Sequence, residues 1–321
     1  MSGKAKPNTI PERPPLLLRK VRQWQPRRSH AGGCGVRGNW ITDRMSGPPS
    51  TSTTIGNPVV AEEYGGLSLR FEDGTLHSCM LQADPARLVL EYTRLMMGFL
   101  LFQPAPARIA MIGLGGGSLA KYCALHLPDA DFTAVEIAPE VIALRHTFDI
   151  PPDGPRFRVL CEDGADFVQR DIEPLDVLLV DGFDRGGQSE ALCSPAFYDR
   201  CRERLAPGGV AAINLYADDG GFDCCVGRIR DAFAGQIVII AADESRNNIV
   251  FAGTDVPFPP PFPDLLDRMR ALVVAHPIAL DRTLRKIVNG EGPPKQPRQS
   301  RRAKFKRRGR RDRRDLDRFE L

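Results

Sequence analysis

Four glycines in five residues, Gly113-Leu114-Gly115-Gly116-Gly117, stand between the apolar run Ile109–Ile112 and a stretch of helical periodicity from Ser118 to Leu127. A strand, a glycine turn and a helix in that order restrict the chain to a small set of α/β folds. Glycines let the backbone turn tightly and approach a ligand, and the helix that follows offers free N–H groups at its N-terminus. A purely structural turn collects glycine for the same steric reason, so the run needs a second feature beside it. Glu136 supplies it, ending the next apolar run 23 residues after Gly113. An acid there can accept both hydroxyls of a ribose. The two features in order point to a nucleoside site that includes Gly113, Gly115, Gly117 and Glu136.

The alternation continues along the chain. Apolar runs at Phe132–Glu136, Phe157–Leu160, Val177–Val180, Val210–Leu215, Ile237–Ala241 and Ile249–Ala252 read as strands. Helical stretches fall at Pro139–Thr147, Ala165–Arg170, Pro195–Leu205 and Phe222–Phe233, with Leu265–Val274 as the last helix. The pattern predicts an α/β fold, a Rossmann-like doubly wound parallel sheet with an antiparallel edge. Ahead of it, Leu67–Phe71, the turn Glu72-Asp73-Gly74 and Leu76–Leu81 spell a β-hairpin, and Pro85 opens a linking helix. The expected division is a basic disordered segment at 1–60, the hairpin and linking helix at 61–104, the nucleoside-binding catalytic domain at 105–290 and a basic disordered tail at 291–321. Met45 is an alternative start.

Charge separates the body from its ends. Residues 295–321 hold 13 basic and 4 acidic residues, and residues 1–44 hold 10 and 2, although the whole chain is only +4. The part between them is therefore strongly acidic, which favours a small cationic substrate over a phosphate-rich one. The tail from Arg301 to Arg311 predicts weak, salt-sensitive contact with nucleic acid without base reading. Eight cysteines include no Cys-x-x-Cys pair and no metal-ligand spacing, and no apolar run reaches membrane-spanning length. A cytoplasmic protein with no metal and no membrane contact is the expectation.

Two further strand ends carry acids. Glu162-Asp163-Gly164 places a carboxylate where an adenine amino group can be held, although Asp163 is equally suited to cap a helix. Asp181-Gly182-Phe183-Asp184 ends the run Val177–Val180, which sheet order sets beside the first strand, at the crevice where such folds bind ligands. Asp181 and Asp184 there can hold an ammonium group and take its proton; the competing reading makes Asp181 a turn cap. There is no Walker lysine and no arginine in the glycine run, so a ligand without a pyrophosphate is indicated.

The run Ile112–Ser118, Val135–Ile142, Glu162–Gly164, Asp176–Asp184, Leu192–Tyr198 and Leu205–Gly209 together resemble the spermidine synthase family of aminopropyltransferases, over roughly Tyr64 to Gly253. The resemblance implies the class I methyltransferase type of fold and, as co-substrate, decarboxylated S-adenosylmethionine or S-adenosylmethionine. By position, Gln82 resembles the family's glutamine near the cofactor, Glu136 its ribose ligand and Asp163, beside Gly164, its adenine ligand. Asp181 resembles the proton acceptor and Asp184 a polyamine-binding acid. The implied reaction moves an aminopropyl group to an amine such as putrescine without a metal, and the implied assembly is a homodimer.

The chain also departs from the family's pattern. Gly116 stands where the glycine loop usually carries an acid, and the serines and proline of the family's DSSDP are absent around Asp181 and Asp184. The usual tyrosine–histidine–glutamate group is represented only by a nearby Glu91-Tyr92-Thr93. A methyltransferase that uses intact S-adenosylmethionine, and a non-catalytic nucleoside-binding protein with nucleic-acid-binding tails, are the alternatives.

Overall fold

The structure, a computed structural model, describes residues 58–290 apart from 64, 72, 73, 75, 185, 186, 218 and 219. The basic segments at both ends, and with them the expectations of disorder and nucleic-acid contact, lie outside the described residues.

Three strands, β1 (Val59–Glu63), β2 (Gly66–Arg70) and β3 (Leu76–Leu81), form an antiparallel sheet in that order. The expected hairpin is thus widened by β1, whose short run pairs Val59 with Arg70. The linking helix does not start at Pro85. Residues 82–87 form turns, and α1 spans only Glu91–Met96 before a 3-10 turn at Met97–Leu101. The carbonyls of Leu88 and Val89, which a helix would have used internally, instead accept from the Arg94 guanidinium.

The main sheet follows from β4 (Arg108–Ile112), through α2 (Ser118–His126), β5 (Asp131–Glu136), α3 (Pro139–Ile142), β6 (Phe157–Cys161), α4 (Gly164–Phe167) and β7 (Leu175–Val180). A small two-stranded ribbon, β8 (Phe183–Asp184) and β9 (Gly187–Gln188), precedes α5 (Pro195–Arg204), β10 (Leu205–Tyr216), α6 (Phe222–Ala232), β11 (Ile237–Ala241) and β12 (Asn247–Gly253). Spatial order is β11-β12-β10-β7-β4-β5-β6, parallel except for β12, which is antiparallel to both of its neighbours. The chain builds outward from β4 to β6, then crosses to β7 on the other side of β4. That reversal leaves a crevice at the carboxyl ends of β4 and β7.

Burial explains why β7 reads as a continuous apolar run. Val177 and Leu179 enter one core cluster, Leu178 and Val180 the other, all four fully buried. A strand covered on both faces has no position left for a polar residue. β10 starts at Leu205, five residues earlier than its apolar run suggests, because a bulge carries the strand through Pro207-Gly208-Gly209 with a shift of register before Val210.

The expected last helix is α7 (Phe262–Leu272), but it is followed by α8 (Leu280–Asn289). Leu280, Thr283, Leu284 and Ile287 of α8 are buried at the i, i+3, i+4, i+7 spacing of one helix face. That periodicity is present in the sequence, and the surrounding charges mask it. No helix among the described residues is long and apolar enough to cross a membrane.

Candidate active site

The glycine run closes the gap between three strand ends. Gly113 has φ +88°, and a Cβ there would stand 2.3 Å from the Asp181 carbonyl oxygen. Only glycine permits that approach. The Gly113 N–H donates to the Val135 carbonyl at 2.8 Å, and the Asp181 N–H donates to the Ile112 carbonyl at 2.9 Å. Gly115 and Gly117 also take positive φ, at +52° and +67°.

Glu136 is buried and bridges two loops. One carboxylate oxygen accepts the Leu114 N–H at 2.8 Å and the other accepts the Ala138 N–H at 3.0 Å. Each oxygen keeps a further lone pair, so the group can still receive a pair of hydroxyls. Asp163, half-buried, caps α4 by accepting the Ala165 N–H at 2.8 Å. Gly164 lies so close to Ile112 that a Cβ would come within 2.3 Å of its methyl carbon. Glu136 and Asp163 thus end β5 and follow β6, the two strands next to β4 on one side of the crevice.

On the other side stands Asp181. Asn214, at the carboxyl end of β10, donates its amide to Asp181 Oδ1 at 2.8 Å. The Tyr92 hydroxyl donates to the His77 carbonyl at 3.2 Å and lies near enough to Asp181 to favour its ionised form. Desolvation raises the Asp181 carboxyl to about 7, with Glu136 adding to the rise, while the bond from Asn214 and the nearby Tyr92 hydroxyl oppose it. Tyr92 is itself held protonated well above the ordinary tyrosine range, first by burial and then by Asp181. A carboxyl poised near neutrality in a cleft is suited to exchange a proton with a ligand.

The remaining expected residues are placed differently. Gln82 is exposed in the turn after β3, where its N–H donates to the Gly65 carbonyl at 3.3 Å. The residue of β3 that meets the glycine run is Ser78: a Cβ on Gly116 would stand 2.6 Å from its hydroxyl oxygen and 3.0 Å from a ring carbon of Phe148. Ser78 Oγ also lies 3.2 Å from Ser118 Oγ. Asp184 pairs with Gly187 across the β8–β9 ribbon, and its side chain lies outside the described residues.

Asn214 and Ser78 are not among the expected residues, and Tyr92 enters only through the stretch Glu91-Tyr92-Thr93. Asn214 carries a readable signal, as the one polar residue within the apolar run Val210–Leu215. Glu91, beside Tyr92, accepts the N–H groups of Asp243 and Glu244 at 2.7 and 2.6 Å and pairs with Arg282 at 3.3 Å. That residue fastens α1 to the β11–β12 turn. No group of three or more metal-ligating side chains occurs among the described residues.

Residues 90–214, which include Tyr92, the glycine run, Glu136, Asp163, Asp181 and Asn214, match the spermine/spermidine synthase domain. A polyamine aminopropyltransferase of Chromobacterium violaceum is 39% identical over 194 residues, 60% of this chain and 74% of that protein. The chain belongs to the spermine/spermidine synthase family. Among solved structures, a probable spermidine synthase from Corynebacterium glutamicum superimposes with a TM-score of 0.57 at 23% identity, over 67% of this chain and 84% of that one. Human methyltransferase-like protein 13 in complex with SAH gives a TM-score of 0.52 at 24% identity, over 61% and 93%. These two likenesses concern the fold, which spermidine synthases share with class I methyltransferases.

Proposed function

We propose that this member of the spermine/spermidine synthase family is an aminopropyltransferase that uses decarboxylated S-adenosylmethionine and a polyamine such as putrescine. The observation that carries the reading is the place of Asp181, half-buried at the crevice beside the glycine run, where Asn214 donates to its carboxylate. In the reaction, a neutral amine nitrogen attacks the aminopropyl carbon next to the sulfonium. The C–N bond forms, the C–S bond breaks with its electron pair going to sulfur, and methylthioadenosine leaves. Asp181 accepts one proton from the acceptor's ammonium before the attack, which frees that nitrogen's lone pair, and the product leaves with its new secondary nitrogen protonated. The free amine has a pKa of about 10, so a carboxylate near it both favours binding of the cation and removes its proton. Glu136 would hold the ribose, Asp163 and Gly164 the adenine, and Gly113, Gly115 and Gly117 the close backbone approach. Asp184 would meet the far amine of the acceptor; Gln82, which the resemblance sets near the cofactor, is exposed in the turn after β3.

One observation favours a second reading. The glycine run carries no acid: Gly116 has no side chain, and Ser78 fills the adjacent space. A site without that carboxylate does not repel the carboxylate of intact S-adenosylmethionine, which suits methyl transfer.

The test is to incubate the purified protein with either donor and putrescine, and to quantify methylthioadenosine and spermidine. Formation of both from the decarboxylated donor, lost in Asp181→Asn, is the expected result. Turnover of the intact donor alone would overturn the proposal in favour of methyl transfer.

A further inference from the structure

Asn214 is fully buried at the end of an otherwise apolar stretch of β10. A buried amide is costly unless both of its ends are bonded. Its donor end faces Asp181 Oδ1 at 2.8 Å, and its acceptor end receives the Asn247 amide at 3.0 Å. Asn247 begins β12, and β10 pairs Asn214 with Ile249, so the two asparagines are diagonal cross-strand neighbours. The acceptor end of Asn247 in turn receives the Ser245 hydroxyl at 2.8 Å.

We infer that Asn214 is a positioning residue for Asp181, and that Asn247 and Ser245 fix the direction of its amide. The inference rests on the reading of Asp181 as proton acceptor. An amide has one donor end and one acceptor end, so a chain of such groups has a single polarity. Here it runs from the Ser245 hydroxyl through Asn247 and Asn214 to the Asp181 carboxylate. Turning either amide over would set acceptor against acceptor. The donor end of Asn214 therefore stays on Asp181, which favours the ionised carboxylate and holds Oδ1 in place. The other titratable groups that bear on Asp181 are Tyr92 from α1 and Glu136 from the end of β5. Tyr92 supports ionisation and Glu136 opposes it, so the asparagine relay helps to decide which side prevails at neutral pH.

The experiment is the pH profile of kcat/KM for the full chain with decarboxylated S-adenosylmethionine and putrescine, comparing wild type with Asn214→Leu, Asn247→Leu, Ser245→Ala and Asp181→Asn. The leucine variants keep the volume and add no charge. Loss of a hydrogen bond to a charged group moves the acidic limb up by about one to two pH units, with activity recovering at high pH. Ser245 is exposed, so its alanine variant folds with the least disturbance and moves the limb in the same direction by less. A uniform fall in rate with the limb unmoved in all three relay variants, while Asp181→Asn is inactive, overturns the inference and leaves the reading of Asp181 intact. Full activity of Asp181→Asn overturns both.

Discussion

The Leu114 N–H donates to Glu136 Oε2 at 2.8 Å, which makes the glycine run and the acid at the end of β5 one hydrogen-bonded unit before any ligand arrives. The second oxygen, bonded to Ala138, ties in the start of α3. A site assembled this way loses little ordering entropy on binding.

Glu136→Gln tests the unit. Glutamine has one acceptor oxygen, so its amino end meets a backbone N–H and a buried donor is left without a partner. That costs about 1–3 kcal/mol of stability, seen as a lower melting temperature of roughly 2–4 °C per kcal/mol. Calorimetric titration with the nucleoside donor should show affinity falling by about tenfold or more, as expected when a charged hydrogen-bond acceptor is lost. An unchanged dissociation constant would remove Glu136 from the ligand site.

Asp181 links activity to pH with a definite sign. Its carboxyl is raised by burial from 3.8 to about 7, so the folded state holds this proton more tightly than the unfolded state does. The stability it contributes is fully present below about pH 4 and is lost as pH rises through 7. Proton acceptance needs the ionised form, so kcat/KM should climb through the same interval in which that stability declines. Asp181→Asn should lower kcat by about 10²–10⁴-fold, and its melting temperature relative to wild type should rise between pH 5 and 8. A difference in melting temperature that stays flat with pH would contradict the raised carboxyl.

The strands and their glycine and acidic ends were legible because each is set by local physics: alternation of type, two-sided burial and φ requirements within a few residues. Gly113, Glu136, Asp163 and Asp181 all sit at such ends. Contacts that depend on packing between distant segments were not legible. Ser78 reaches Ser118 over 40 residues, and Asn214 reaches Asp181 over 33. The false start of the linking helix at Pro85 has the same origin, since Arg94 takes the Leu88 and Val89 carbonyls through a side chain that no backbone propensity describes.

The meeting of Ser78 and Gly116 predicts a coupled pair. Gly116→Asp alone forces a Cβ to within 2.6 Å of the Ser78 oxygen and 2.9 Å of its Cβ, and overpacking of this kind costs about 1–3 kcal/mol. Ser78→Gly made together with it removes both clashes, so the double variant should be more stable than Gly116→Asp by a clear non-additive margin in thermal melts. The added carboxylate should also shift binding toward decarboxylated over intact S-adenosylmethionine, measured by calorimetry. Additive melting temperatures would show that Ser78 does not set what position 116 can hold.

Lys121 supports the same loop from behind. Its ammonium is buried and donates to the Phe148 carbonyl at 2.6 Å, while Phe148 and Ile150 press against Gly116 and Gly117. Burial pulls the Lys121 pKa down from 10.5 to about 8, against a smaller opposing effect of Asp149. Between pH 8 and 10.5 the unfolded chain therefore binds more protons at this site than the folded one, and the site's contribution to stability rises with pH. Lys121→Met keeps the volume but removes both the titration and the bond. The melting temperature of wild type minus that of Lys121→Met should increase from pH 8 to 10, and donor affinity should fall in the variant as the Phe148–Ile150 segment loosens behind the glycine run. A constant difference across that interval would mean that Lys121 does not titrate there, and an unaltered affinity would mean that the segment holds its place without it.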